Sequence, residues 1–289
     1  MLALGAIGAF SAVLVAGLYV GAVRTRTGQR ADEAAMIGRS THRVVQETAT
    51  EILDTISVLT LGAAVVGLGL LAVSRRRPRL AIGVAVMVIG ANVTTQILNS
   101  FVLSRPDLLH RPDAASNPSF PSGHATIAMT LGLGFMLVVP ARLRRVAGLI
   151  GITYATLIGA GTLTAQWHRP SDVIAAYLIA ASWVSALTIW LVTSRGTGRT
   201  RPRRPTLLGH SLSTKRLIAT GSWLLGTALL VSLTVALALR GRRLVPVELG
   251  ASYVAAVASM AGVALVVLGA FVRALRGALL DPPAADREA

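Results

Sequence analysis

The chain has 289 residues, of which 53% are hydrophobic and 14% charged, with a mean hydropathy of +0.66; this excludes an ordinary soluble domain and points to a membrane protein. It contains no cysteine, so neither a disulfide framework nor a thiolate metal site is possible. The net charge is +16, yet the basic residues sit between apolar runs and aromatics make up only 4%, a pattern that suits loops facing anionic lipid and argues against nucleic acid as a partner.

A helix needs roughly 20 apolar residues to cross a bilayer core, and eight segments approach that length: 3–23, 52–73, 80–103, 122–140, 146–166, 171–193, 217–239 and 248–272. The predicted fold is all-α, a polytopic helical membrane protein of about eight transmembrane helices. The first segment has no Lys or Arg before it and is too long for a signal-peptide core, so it reads as a retained span. After it, "QRADEAAMIGRSTHRVVQETATEILDT" reads either as a helix lying at the outer interface or as a solvated connector. The fifth segment carries Thr153, Thr156, Thr162 and Thr164, which a bundle tolerates when their hydroxyls bond backbone carbonyls.

Alternate loops hold 17 and 11 Lys plus Arg, the richer set comprising 74–79, 141–145, 194–216 and the C-terminal tail. Basic residues are retained in the cytoplasm, so both termini are expected there. The poorer set, with "PSGH" and "WHRPSD", is then extracytoplasmic. The chain divides into a first span and connector (1–51), a membrane core (52–193), a basic loop (194–216) and two additional spans with a tail (217–289). The loop "RGTGRTRPRRP" reads as a solvated stretch that holds the topology, or as a contact for anionic lipid.

His42, His110 and His210 lie in polar connectors, whereas His124 and His168 stand at the mouths of spans on one face. In "HRPSD", Pro170 suits a first helical turn and Asp172 lies within reach of His168. A carboxylate on one ring nitrogen fixes the tautomer and leaves the other nucleophilic; a capping Asp beside an unrelated His is the plainer alternative. In "PSGH", Ser122 starts a helix, Gly123 permits close backbone approach and the first N–H groups form an anion site, with His124 beside it to donate a proton. A simple capping segment is the alternative there. Arg105, in "LSRPDLLHRPD", can offer a bidentate fork to phosphate or serve as an interfacial anchor.

Taken in order on one face, "RPD", "PSGH" and "WHRPSD" resemble the motifs of the type-2 phosphatidic acid phosphatase superfamily, over roughly residues 50–195. The resemblance implies a six-helix phosphatase-like membrane core. It implies His168 as the nucleophile, Asp172 as its orienting partner and His124 as general acid for the leaving alcohol. Arg105, Ser122 and the Gly123 backbone would hold the phosphoryl oxygens, with no metal and no cofactor. Two departures stand out: Leu98 occupies the position of the family's Lys, and Gly161 and Thr162 occupy those of its Ser and Arg. Charge-assisted contacts contribute roughly 1.5–3 kcal/mol each, so Arg111 or Arg169 must substitute, or the reaction is weakened.

The expected function is hydrolysis of a lipid phosphate or diphosphate at the outer leaflet through a phosphohistidine, with membrane lipids as the other partners. A lipid-linked phosphotransferase shares the first half-reaction. A non-catalytic relative that binds lipid or partner proteins is the second class. A transporter is disfavoured, since no inverted repeat or pair of broken helices is evident.

Overall fold

The computed structural model describes residues 1–38, 43–54, 58–110, 119–194, 208–238 and 245–275. Ten α-helices follow in order: α1 (Leu2–Leu18, continued by a π-helical turn Tyr19–Val23), α2 (Arg26–Ile37), α3 (Arg43–Asp54), α4 (Val58–Ser74), α5 (Pro78–Ile97, continued by a π-helical turn Leu98–Val102), α6 (Gly123–Val138), α7 (Arg144–Thr164), α8 (Pro170–Thr193), α9 (Leu208–Ala238) and α10 (Pro246–Leu275). Among the described residues there is no strand.

Among the described residues, six helices are long and apolar enough to cross a membrane: α1 and α5 with their π turns, α7, α8, α10, and α9 over Thr214–Ala238. The apolar parts of the other two expected spans, Thr60–Ser74 in α4 and Gly123–Val138, are shorter. The multi-pass expectation holds, with one boundary moved. Of the segment expected to span from 52, the structure describes α4 from Val58, and the residues up to Asp54 belong to the more polar α3. Residues 24–51 thus hold α2 and most of α3. The solvated-connector alternative fails for α2, which buries Gln29, Asp32, Ala34 and Ala35.

At the centre lies α8, buried along most of its length. Its Tyr177 hydroxyl donates to the Ala155 carbonyl of α7 (2.6 Å), Ser182 Oγ donates to Gly8 O of α1 (3.2 Å), and Trp183 Nε1 donates to Thr94 Oγ1 of α5 (3.2 Å). Such bonds hold helices together where apolar burial gives little driving force in lipid. Small residues allow the closest crossings. A Cβ on Gly151 of α7 would lie 2.5 Å from Gly132 Cα of α6, and one on Gly221 of α9 would lie 2.7 Å from the Gly262 carbonyl of α10. Within α7 the threonines behave as expected: Thr156, Thr162 and Thr164 donate to the carbonyls of Ile152, Gly159 and Ala160.

Successive antiparallel crossings bring the starts of α6, α8 and α10 to the same end of the bundle as the segment after α5. That end is covered by α2, which packs against α9 and α10.

Candidate active site

Two helix starts form the floor. Ser122 caps α6, its Oγ accepting the Ala125 N–H (3.4 Å), and it is fully buried. Its own N–H donates to the Asp172 carbonyl (3.1 Å), which ties the first turn of α6 to that of α8. The amides of Gly123 and His124 follow, and first-turn amides have no helical acceptor behind them. A Cβ on Gly123 would come to 3.3 Å from Gln96 Nε2, so a neutral amide of α5 stands over this cradle. Asn99 Nδ2 donates to the Pro121 carbonyl (3.1 Å) and steadies the same turn.

The start of α8 is bound far more tightly. Pro170 occupies its first turn, and Asp172 Oδ2 accepts the Arg169 N–H (2.9 Å). Asp172 Oδ1 accepts from Arg105 Nη2 (3.1 Å) and, at longer range, from Ser171 Oγ (3.5 Å). His168 enters through a turn in which Trp167 N–H and His168 N–H both donate to the Thr162 carbonyl (2.9 and 3.2 Å). Thr162 therefore serves as a backbone anchor, with its side chain buried in α7, and Gly161 faces Leu53 of α3.

The tautomer of His168 follows from its neighbours. Its Nδ1 lies 3.0 Å from the Ser119 carbonyl and 3.6 Å from Asp172 Oδ2, and both of those oxygens can only accept. In the neutral ring the proton is therefore on Nδ1, which leaves the lone pair on Nε2. The closest partner of Nδ1 is a backbone carbonyl, with Asp172 a little further off. The ring centroid of His124 is 6.5 Å from that of His168 and 5.3 Å from Trp167. The two imidazoles are thus close neighbours at the mouths of α6 and α8.

Arg105 is a buried cation of the site. Besides its bond to Asp172, its Nη1 lies 3.7 Å from Asp32 Oδ2, and the side chains of Arg105, Asp32 and Asp172 are only 5%, 7% and 0% exposed. Its Nε is buried and, among the described residues, has no hydrogen-bond partner. Arg169 Nη1 donates to Ser119 Oγ (3.3 Å), on the loop that orients His168. Arg111 lies outside the described residues. Leu98 packs against the hydrophobic core.

Sequence reasoning missed Asp32, Ser119, Ser171 and Gln96. Ser171 donates to Asp32 through both its hydroxyl (2.6 Å) and its N–H (3.3 Å). Burial pushes Asp32 up to about 6, with Asp172 adding to the rise and Arg105 opposing it. One signal was available: Gln29 and Asp32 stand one turn apart, on a helix face otherwise built from Ala35 and Met36. Ser119 acts on His168 through its backbone, which leaves no trace in residue type. Among the described residues, no three or more His, Asp and Glu side chains gather in a way that could hold a metal ion.

Residues 55–196 match the model of the PAP2 superfamily. No curated protein and no solved structure matches the chain.

Proposed function

Since the chain belongs to the PAP2 superfamily through residues 55–196, a family whose members are generally phosphatases, we propose that it is a membrane phosphatase hydrolysing a lipid phosphate or diphosphate through a phosphohistidine. The observation that carries this reading is His168, whose Nδ1 proton is committed to Ser119 O and Asp172. Its Nε2 attacks phosphorus as the bond to the lipid oxygen breaks, and His124 gives that oxygen its proton. Water, deprotonated by His124, then attacks the phosphohistidine, the P–N bond breaks, and phosphate leaves with His168 restored. Arg105, the first-turn amides of α6 and the Ser122 hydroxyl hold the equatorial oxygens, where charge spreads in the transition state.

A lipid substrate is supported by an apolar groove of about 360 Å³ between α4, α6 and α7, lined by Leu68, Leu71, Leu131, Phe135 and Tyr154. Leu131 is seven residues beyond His124, two turns and about 10 Å along the same face of α6. A hydrocarbon chain lying there would leave its phosphate at the histidines. The charge asymmetry of the loops supports an extracytoplasmic site.

The missing cations favour a second reading, a non-catalytic relative, because Leu98 packs on the core and Thr162 is turned into α7. Phosphate release from a panel of lipid phosphates and polyprenyl diphosphates in detergent, with His168→Ala as control, separates the two. Release lost in the variant supports the phosphatase. Equal background from both proteins removes it in favour of transfer to another acceptor or of a non-catalytic role.

A further inference from the structure

The matched family core starts at residue 55, yet a carboxylate from outside it is built into the site. Asp32 belongs to α2, which Thr25 caps through its Oγ, accepting the Gly28 N–H (3.0 Å). One turn before Asp32, the Gln29 amide donates to the carbonyls of Val23 (2.8 Å) and Pro106 (2.7 Å). The second bond fastens the residue next to Arg105. At its far end α2 abuts α10, where a Cβ on Gly38 would collide with the Leu249 backbone. The N-terminal and C-terminal elements thus form one support over the core.

The Arg105 guanidinium is consequently held from two sides, by Asp172 on Nη2 and by Asp32 near Nη1. Its Nε, buried and unpartnered among the described residues, is a donor free for a ligand, and each Nη carries a second N–H beside the one that faces an aspartate. A buried donor without an acceptor is costly, and a bound anion would recover that cost. With Leu98 and Thr162 where the resemblance leads one to expect Lys and Arg, more of the charge-assisted binding rests on this one fork, and so does the demand on its orientation.

We propose that Asp32 is a positioning residue: fixed by both donors of Ser171, it sets the Arg105 guanidinium so that the fork meets the oxygens of a phosphoryl group. This rests on the phosphatase reading only for the identity of the anion. The bonds to Ser171, at 2.6 and 3.3 Å, are shorter than the 3.7 Å approach to Arg105, so Asp32 acts chiefly as a hydrogen-bonded strut. A neutral amide of the same shape keeps much of that strut.

Orthovanadate binding to the full chain in detergent, followed by titration calorimetry, tests this without requiring turnover. Asp32→Ala is expected to weaken binding about tenfold, the equivalent of one well-placed hydrogen bond, whereas Asp32→Asn stays within about threefold of the wild type. Asp32→Ala added to Arg105→Ala changes nothing further, because the first residue works through the second. Ser171→Ala loosens the strut in the same direction and serves if Asp32→Ala does not fold. Unchanged or tighter binding in Asp32→Ala, multiplying effects in the double variant, or no vanadate binding by the wild type overturns the proposal. A wild type that binds vanadate through Arg105 but releases no phosphate keeps the positioning role and removes the phosphatase.

Discussion

At the start of α6 a single serine caps the helix through a 3.4 Å bond, a glycine follows, and the next amides open onto a space edged by Gln96. At the start of α8 the capping aspartate accepts from Arg169 N–H, Arg105 and Ser171, and its own carbonyl takes the Ser122 N–H. Both are helix N-termini with the same partial positive charge. One is left receptive to an anion, while the other is saturated by a carboxylate that belongs to the protein. The saturated start can hold His168 and Arg105 in fixed positions because none of its donors is left for the ligand. The open start is the one to which the proposed mechanism assigns the phosphoryl oxygens, because little of the protein competes for its amides.

The sharpest way to break this division is to remove a histidine from either side. His168→Ala is expected to lower phosphate release at least about a thousandfold, whereas His124→Ala, which removes only proton transfer, costs roughly 10²–10⁴-fold and loses less with an activated leaving group. Similar losses for activated and ordinary substrates in His124→Ala would deny it the acid role. Next comes the saturated start itself. Asp172→Ala leaves Arg105 beside a lone Asp32, and breaking such a buried cluster costs about 3–5 kcal/mol, visible as a much lower Tm in detergent. A Tm near the wild type would mean that the saturation is not structural.

The third test concerns Asp32, which faces Arg105, Asp172 and Arg169. Burial raises its pKa from 3.8 to about 6, so the fold prefers its neutral form. That contribution to stability is present in full below the ordinary value and is lost as pH rises through about 6. Asp32→Asn should therefore melt a few degrees above the wild type at pH 8, with the gap closing towards pH 5. A gap independent of pH would contradict the assignment. The smallest effect is expected at the receptive start. Gly123→Ala puts a Cβ 3.3 Å from the exposed Gln96 amide, which can swing aside, so phosphate release should fall by no more than about tenfold. A loss as large as that of His124→Ala would show that backbone contact at Gly123 carries more of the binding than the arrangement implies.

Much of this molecule is legible in its sequence, for a physical reason: a bilayer demands long apolar runs, and these mark the helices within a few residues. The motif residues Arg105, Ser122, His124, His168 and Asp172 are legible by type and order, and they do converge. The polar character of α3 ahead of α4 was hidden, because "EILDTISVLTL" reads as a single entry into an apolar run. Asp32 was hidden more deeply. Its bonds join residues 139 apart, and a lone Asp on a short amphipathic helix resembles a solvated charge until α9 and α10 are packed over it. The role of Ser119 is invisible in principle, since any residue could supply that carbonyl.

In the proposed mechanism His168 carries the phosphoryl group on Nε2. The most direct measurement is rapid acid-free quenching of the purified protein during turnover of a ³²P-labelled lipid phosphate, followed by mapping of the label. An acid-labile, base-stable label is expected on the peptide containing His168, formed within the first turnover and absent from His168→Ala. Steady phosphate release with no label on His168 at any time would contradict it.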